Sequence, residues 1–106
     1  VSNMDYKNKF FPLDAEIFIK KLSQLIKKSR LEKNLRQIDL AQAVEVSLST
    51  IKRIENADTS VETGALLKTI WYLGILDQLS QTLPIIEDDK LKQKRIRLSI
   101  VRDEDF

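Results

Sequence analysis

The sequence has 106 residues, 42% apolar and 32% charged, with a formal net charge of +2 at pH 7, which fits one small domain plus a tail or two. It contains neither cysteine nor histidine, which excludes disulfides, thiolate and imidazole metal sites and the commonest general base. No apolar run approaches the roughly 18 residues that span a bilayer, and "VSNMDYKNKFF" lacks the apolar core and cleavage site of a signal peptide, so a cytoplasmic protein is expected.

Residues 1–12 read as an N-terminal arm, with Phe10 and Phe11 ahead of Pro12. Asp14 is a candidate N-cap for a first helix, with Leu13 and Phe18 placed as a hydrophobic staple. Apolar residues at 18, 22, 25 and 26 keep helical spacing, and the helix should end near Lys33 with Asn34 as a left-handed cap. A second helix is predicted from Arg36 or Gln37 to Val44, burying Ile38, Leu40, Ala41 and Val44. The third should start after Ser47, a good N-cap, and bury Ile51 and Ile54 before ending near Asn56.

"NADTS" reads as a loop. Thr59 and Glu62 have capping-box spacing for a fourth helix from Ser60 to about Leu73. Its stripe is Val61, Ala65, Leu66, Thr69, Ile70 and Leu73, and Gly74 suits its end. A short fifth helix is expected from Leu76 to about Leu83, before Pro84. The fold class is therefore all-α, a compact five-helix domain over residues 13–84. Residues 85–106 form a charged tail in which "RIRLSIV" alternates with period two, a short β-strand at 95–101. A lone strand needs a partner for its backbone groups. The nearest candidate is the same strand of a second copy.

Charge is unevenly distributed. Between Ala57 and Asp89, Lys68 is the one basic residue against Asp58, Glu62, Asp77, Glu87, Asp88 and Asp89. Lys90, Lys92, Lys94, Arg95 and Arg97 follow with no acid among them, either as phosphate-holding groups or as a solvated linker. Lys20, Lys21, Lys27, Lys28, Arg30 and Lys33 form another basic set. Such asymmetry points to a polyanion on one side of the molecule, although solvated helix faces account for many lysines.

"RLEKNLRQIDLAQAVEVSLSTIKRIEN" resembles the helix-turn-helix of lambda-repressor/Cro-like (XRE-type) DNA-binding domains. The matching features are Arg30, Gln37, Leu40-Ala41, Val46-Ser47, Ser49-Thr50-Ile51, Ile54-Glu55 and Leu66 through Leu73. The residues suit the geometry: Ala41 is small enough for a close helix crossing, Val46 can plug the turn, and Ser47 can cap. The exposed early positions of the third helix should then meet base edges and phosphates, with help from the free amides of its N-terminus. Two residues depart from the family pattern. Glu45 stands at the turn position that is usually glycine, and Arg36 replaces a small polar residue.

The resemblance implies DNA contacts at Gln37, Ser47, Leu48, Ser49, Thr50, Lys52 and Arg53, and Arg36, a departure from the pattern, is a further candidate for a phosphate contact. Ser47 acts chiefly as a cap, Leu48 either touches a thymine methyl or is a plain exposed residue, and Arg53 reaches phosphate. It also implies a structural ion pair between Arg30 and Glu55. Leu67, Trp71 and Leu79, with Ile96, Leu98 and Ile100 of the tail strand, are candidates for a dimer or partner interface. Trp71 alternatively folds back onto the core. No metal and no cofactor are expected, and no catalytic constellation is visible.

The resulting expectation is a sequence-specific transcriptional repressor acting as a homodimer on a palindromic operator in double-stranded DNA. The order of domain, acidic stretch, basic stretch and strand resembles antitoxins of toxin–antitoxin operons, HipB-type antitoxins in particular. That resemblance implies autoregulation of the operon and binding of a HipA-type kinase toxin. The alternatives are a stand-alone or phage-type XRE regulator, and a protein-interaction module with secondary DNA binding.

Overall fold

The computed structural model describes residues 10–86. Among them are five helices: α1 (Leu13–Glu32), α2 (Gln37–Ala43), α3 (Leu48–Glu55), α4 (Thr63–Tyr72) and α5 (Leu76–Ser80). The predicted strand at 95–101, most of the arm and the basic run at 90–97 lie outside the described residues.

The core gathers one or two turns from each of the first four helices. Leu22 and Ile26 of α1 meet Leu40 and Ala41 of α2, Ile51 and Ile54 of α3, and Ala65 and Ile70 of α4. Val44, Leu73 and Ile75 close it from the helix ends. Burying each of the larger side chains stabilises the fold by about 1.5–3 kcal/mol. Two buried hydroxyls are satisfied internally: Ser23 Oγ donates to the Ile54 carbonyl at 2.7 Å, and Thr69 Oγ1 to the Ala65 carbonyl at 2.9 Å. Among the described residues no buried side-chain polar atom lacks a partner.

The helix ends share one solution. After α1, α2, α3 and α4 the chain passes through a left-handed residue, namely Asn34, Glu45, Ala57 and Gly74. At each end the second residue after the C-cap donates its N–H back to a carbonyl five residues earlier: Leu35 to Arg30, Val46 to Ala41, Asp58 to Arg53 and Ile75 to Ile70. These are Schellman caps, which satisfy the orphan carbonyls and reverse the chain within a few residues. Only one of the four uses glycine, although a side chain disfavours this conformation.

The helix starts differ from expectation in two places. Pro12, in extended conformation, is the N-cap of α1, and Asp14 lies inside the first turn, making no cap hydrogen bond. The anticipated staple is absent, since Leu13 and Phe18 are 68% and 59% exposed. Fixed backbone geometry at Pro12 sets the start, and Asp14 then favours it through the helix dipole. Likewise α4 begins at Thr63 with Glu62 as N-cap and no side-chain cap bond, so the Thr59–Glu62 box does not form. Asp58 organises that loop instead, accepting from the Ser60 backbone N–H at 2.8 Å and hydroxyl at 2.6 Å. The fifth helix stops at Ser80, and Leu83 is exposed.

Glu45 has φ 58°, where a side chain costs about 1 kcal/mol or more relative to glycine. Glu45→Gly is expected to raise the Tm by several degrees, on the scale of about 4–8 °C per kcal/mol for a domain this size. A thermal melt showing a lower Tm would mean that the glutamate side chain itself holds the turn.

Candidate nucleic-acid interface

The site is built outward from one buried ion pair. Arg30 Nε donates to Glu55 Oε2 at 2.7 Å and Nη2 to Oε1 at 3.0 Å, while Nη1 donates to the Leu35 carbonyl at 2.7 Å. Both side chains are more than nine-tenths buried. Gln37 Nε2 adds a longer bond to Glu55 Oε1, at 3.4 Å. One guanidinium thus joins the end of α1, the entry to α2 and the end of α3. Gln37, at the first position of α2, is held against α3 by the same carboxylate.

The start of α3 is fixed by its cap. Ser47 Oγ accepts the Thr50 backbone N–H at 3.0 Å and also meets Thr50 Oγ1 at 2.7 Å. Val46 packs partly against the core beside it. Of the residues expected at the interface, Ser49 and Lys52 are exposed, and Leu48 and Thr50 are half-buried. Neither Ser49 nor Lys52 has a side-chain partner among the described residues. The Thr50 hydroxyl is engaged in the cap, so it is less free for a ligand than the sequence suggested.

Two arginines are tied down rather than free. Arg53 Nε donates to Asp58 Oδ2 at 2.9 Å and Nη2 to Ser60 Oγ at 2.8 Å. Arg36 Nε and Nη2 donate to the two carboxylate oxygens of Asp39 at 3.0 and 2.9 Å, and the Arg36 backbone N–H donates at 2.8 Å. Each guanidinium keeps donors toward solvent, in a fixed orientation. Hydrogen bonding from the Arg36 side chain, then from its backbone, lowers the Asp39 carboxyl to about 2. The Ser60 hydroxyl, the Arg53 guanidinium and the Ser60 backbone N–H do the same for Asp58, to about 2. The same pairing raises Arg36 above its ordinary value.

Sequence reasoning missed Asp39 and Asp58 as the partners of these arginines. The signals were there, in the i, i+3 spacing of Arg36 with Asp39 and in a turn-forming Asp two residues before Ser60.

Ser47, Thr50 and Arg53 line one polar cleft of about 460 Å³ with Glu45, Glu62 and Lys68. This juxtaposes the N-termini of α3 and α4. Leu67 and Trp71 sit on the outer face of α4, at 47% and 66% exposure, so Trp71 does not fold back onto the core. Leu79 instead packs partly on the core, and Ile96, Leu98 and Ile100 lie outside the described residues.

A family model described as Helix-turn-helix matches residues 26–68, from the second half of α1 into α4. The match spans α2, the turn and α3, and it supports an XRE-type DNA-binding segment of a transcription regulator. No curated protein and no solved structure gives a significant match to the chain. No helix among the described residues is long and apolar enough to cross a membrane.

Two predictions follow from the charge geometry. Arg30→Ala or Glu55→Ala alone strands a buried charge and should cost about 3–5 kcal/mol, whereas the double change Arg30→Met with Glu55→Leu should recover most of that loss. Denaturant titration of the three variants distinguishes these outcomes; a mild single-variant effect would show that the pair is dispensable.

The second concerns pH. Asp39 and Asp58 bind protons more weakly folded than unfolded, from an ordinary 3.8 to about 2. Their stabilisation is complete above the unfolded value and lost as pH falls through it toward the folded one. The Tm should therefore be flat from about pH 5.5 to 8, where no histidine titrates, and should decline below about pH 4. Asp39→Asn with Asp58→Asn should make that acid decline shallower.

Proposed function

We propose that the chain is a sequence-specific transcriptional repressor that binds a palindromic operator as a homodimer. The observation that carries this reading is the Ser47-capped α3. It is locked to α1 through Glu55 and presents Ser49 and Lys52 outward without internal partners. A capped helix N-terminus beside exposed hydroxyl and ammonium groups suits base edges and phosphates of a major groove. Arg36 and Arg53, pre-oriented by Asp39 and Asp58, flank it as phosphate contacts, with Gln37, Ser47, Leu48 and Thr50 between them.

A two-fold dimer would place two such helices about 34 Å apart on successive major grooves. Leu67 and Trp71, Leu79, and the tail residues Ile96, Leu98 and Ile100 are the proposed dimer or partner surface. The sequence order of domain, acidic stretch, basic stretch and predicted strand supports reading it as the antitoxin of a toxin–antitoxin operon, HipB-like, that represses its own operon and binds a kinase toxin of HipA type. A second reading, a protein-interaction module with secondary DNA binding, is favoured by two features. The Glu45 carboxylate is exposed at the interface, and Trp71 is exposed beside it.

Binding to the DNA upstream of the gene, measured against salt, separates these readings. The repressor reading predicts a steep loss of affinity with rising salt. Lys52→Ala should lower the slope of log K against log salt by about 1. Ser49→Ala should cost up to about 1–3 kcal/mol at one operator position if it contacts a base. Both variants should melt as the native chain does. Absence of binding at low salt would remove the regulator reading.

A further inference from the structure

Between the end of α2 and the outer face of α4 lies a second cleft, of about 210 Å³, lined by Ala43, Val44, Glu45, Lys68 and Trp71. Two side chains there have no partner among the described residues of the fold. Trp71, the one tryptophan of the chain, leaves two-thirds of its surface exposed. Glu45 holds an unfavourable left-handed backbone at φ 58°, yet its carboxylate makes no ion pair or hydrogen bond among the described residues. An indole face next to a carboxylate is a recognised receptor for a cation, above all a guanidinium, which stacks and hydrogen-bonds at once.

The sequence carries the complementary group. Residues 90–97 contribute Lys90, Lys92, Lys94, Arg95 and Arg97 with no acid among them. This run begins four residues beyond Ile86. At about 3.5 Å per extended residue it reaches from about 14 to about 39 Å from there, far enough to return to any face of a domain this size. One ring and one carboxylate are too little to hold a separate protein. A tethered segment is instead present at an effective concentration on the order of millimolar, where such a contact fills. Lys68 lines the same cleft and opposes the approach, so Glu45 must outweigh it, aided by Glu62 in the adjoining cleft.

We propose that the cleft between α2 and α4 is a docking site for the chain's own basic segment 90–97. An arginine of that segment lies over the Trp71 indole and pairs with the Glu45 carboxylate. This covers the Leu67–Trp71 patch in the free protein, and it stands independently of the DNA reading.

Trp71 is its own probe. Acrylamide quenching of its fluorescence would be compared in full-length chains at low salt, with circular dichroism confirming that each variant is folded. Glu45→Gln and the double change Arg95→Gln with Arg97→Gln should raise the quenching constant and shift emission to the red. Lys68→Gln should lower the quenching constant, and salt at about 0.5 M should mimic Glu45→Gln, because screening weakens exposed pairs. Equal quenching in the native chain and in the Glu45 and arginine variants would overturn the proposal. Quenching that depends on protein concentration would also overturn it, by assigning the segment to a second copy.

Discussion

The Arg30–Glu55 pair is the constraint on which the placement of α3 depends. Apolar contacts among Ile26, Leu40 and Ile51, all fully buried, supply much of the stabilisation but little direction. Helices sliding by a fraction of a turn would keep most of that burial. A bidentate guanidinium–carboxylate pair tolerates no such slide, and this one has its third edge occupied by the Leu35 carbonyl. It therefore registers the end of α3 against the end of α1 and the start of α2 at one point. Ser23, bonded to the Ile54 carbonyl, repeats the tie two helical turns earlier on α1. The exposed residues of α3 inherit their direction from these two contacts.

The second determinant is how short the connections are. Four Schellman caps turn the chain without long loops, and three of them place a non-glycine residue in the left-handed region. Asn34 tolerates that conformation through its short polar side chain, and Gly74 has no side chain to strain. Glu45 and Ala57 have neither excuse, and both flank α3. Local backbone cost is thus concentrated around the helix that carries the candidate interface, and tertiary packing of Val44 and Val46 offsets it. Ser47 completes the turn by capping α3 as Val46 closes its base.

Most of this was legible in the sequence. Five helices, the break at "EVS", the Asn34 and Gly74 stops, and the core positions Leu40, Ala41, Val44, Ile51 and Ile54 follow from period, cap chemistry and residue size, whereas Ile38, expected in the core, stays half-buried outside it. The Arg30–Glu55 contact came from resemblance, because nothing local links residues 25 apart. What failed were the starts of α1 and α4. Asp14 and Thr59 looked like caps, but Pro12 and a loop organised by Asp58 determined where those helices begin. Cap spacing is a local signal and cannot register a competing turn a residue or two away. The same blindness left Arg36 and Arg53 looking like free cations, when each is paired with a nearby carboxylate. Thr50 looked outward by helical phase alone, whereas its hydroxyl turns back to Ser47.

The central claim is that α3, oriented by the buried pair, is the face that meets DNA. Amide chemical-shift mapping of the full-length protein, titrated with a duplex carrying the upstream sequence of its gene, tests it most directly. The account predicts that the largest perturbations fall at residues 36–37 and 47–53, with the Arg30 side-chain signals unchanged. Perturbations confined to residues 67–79, or spread along α1 and absent from α3, would contradict it.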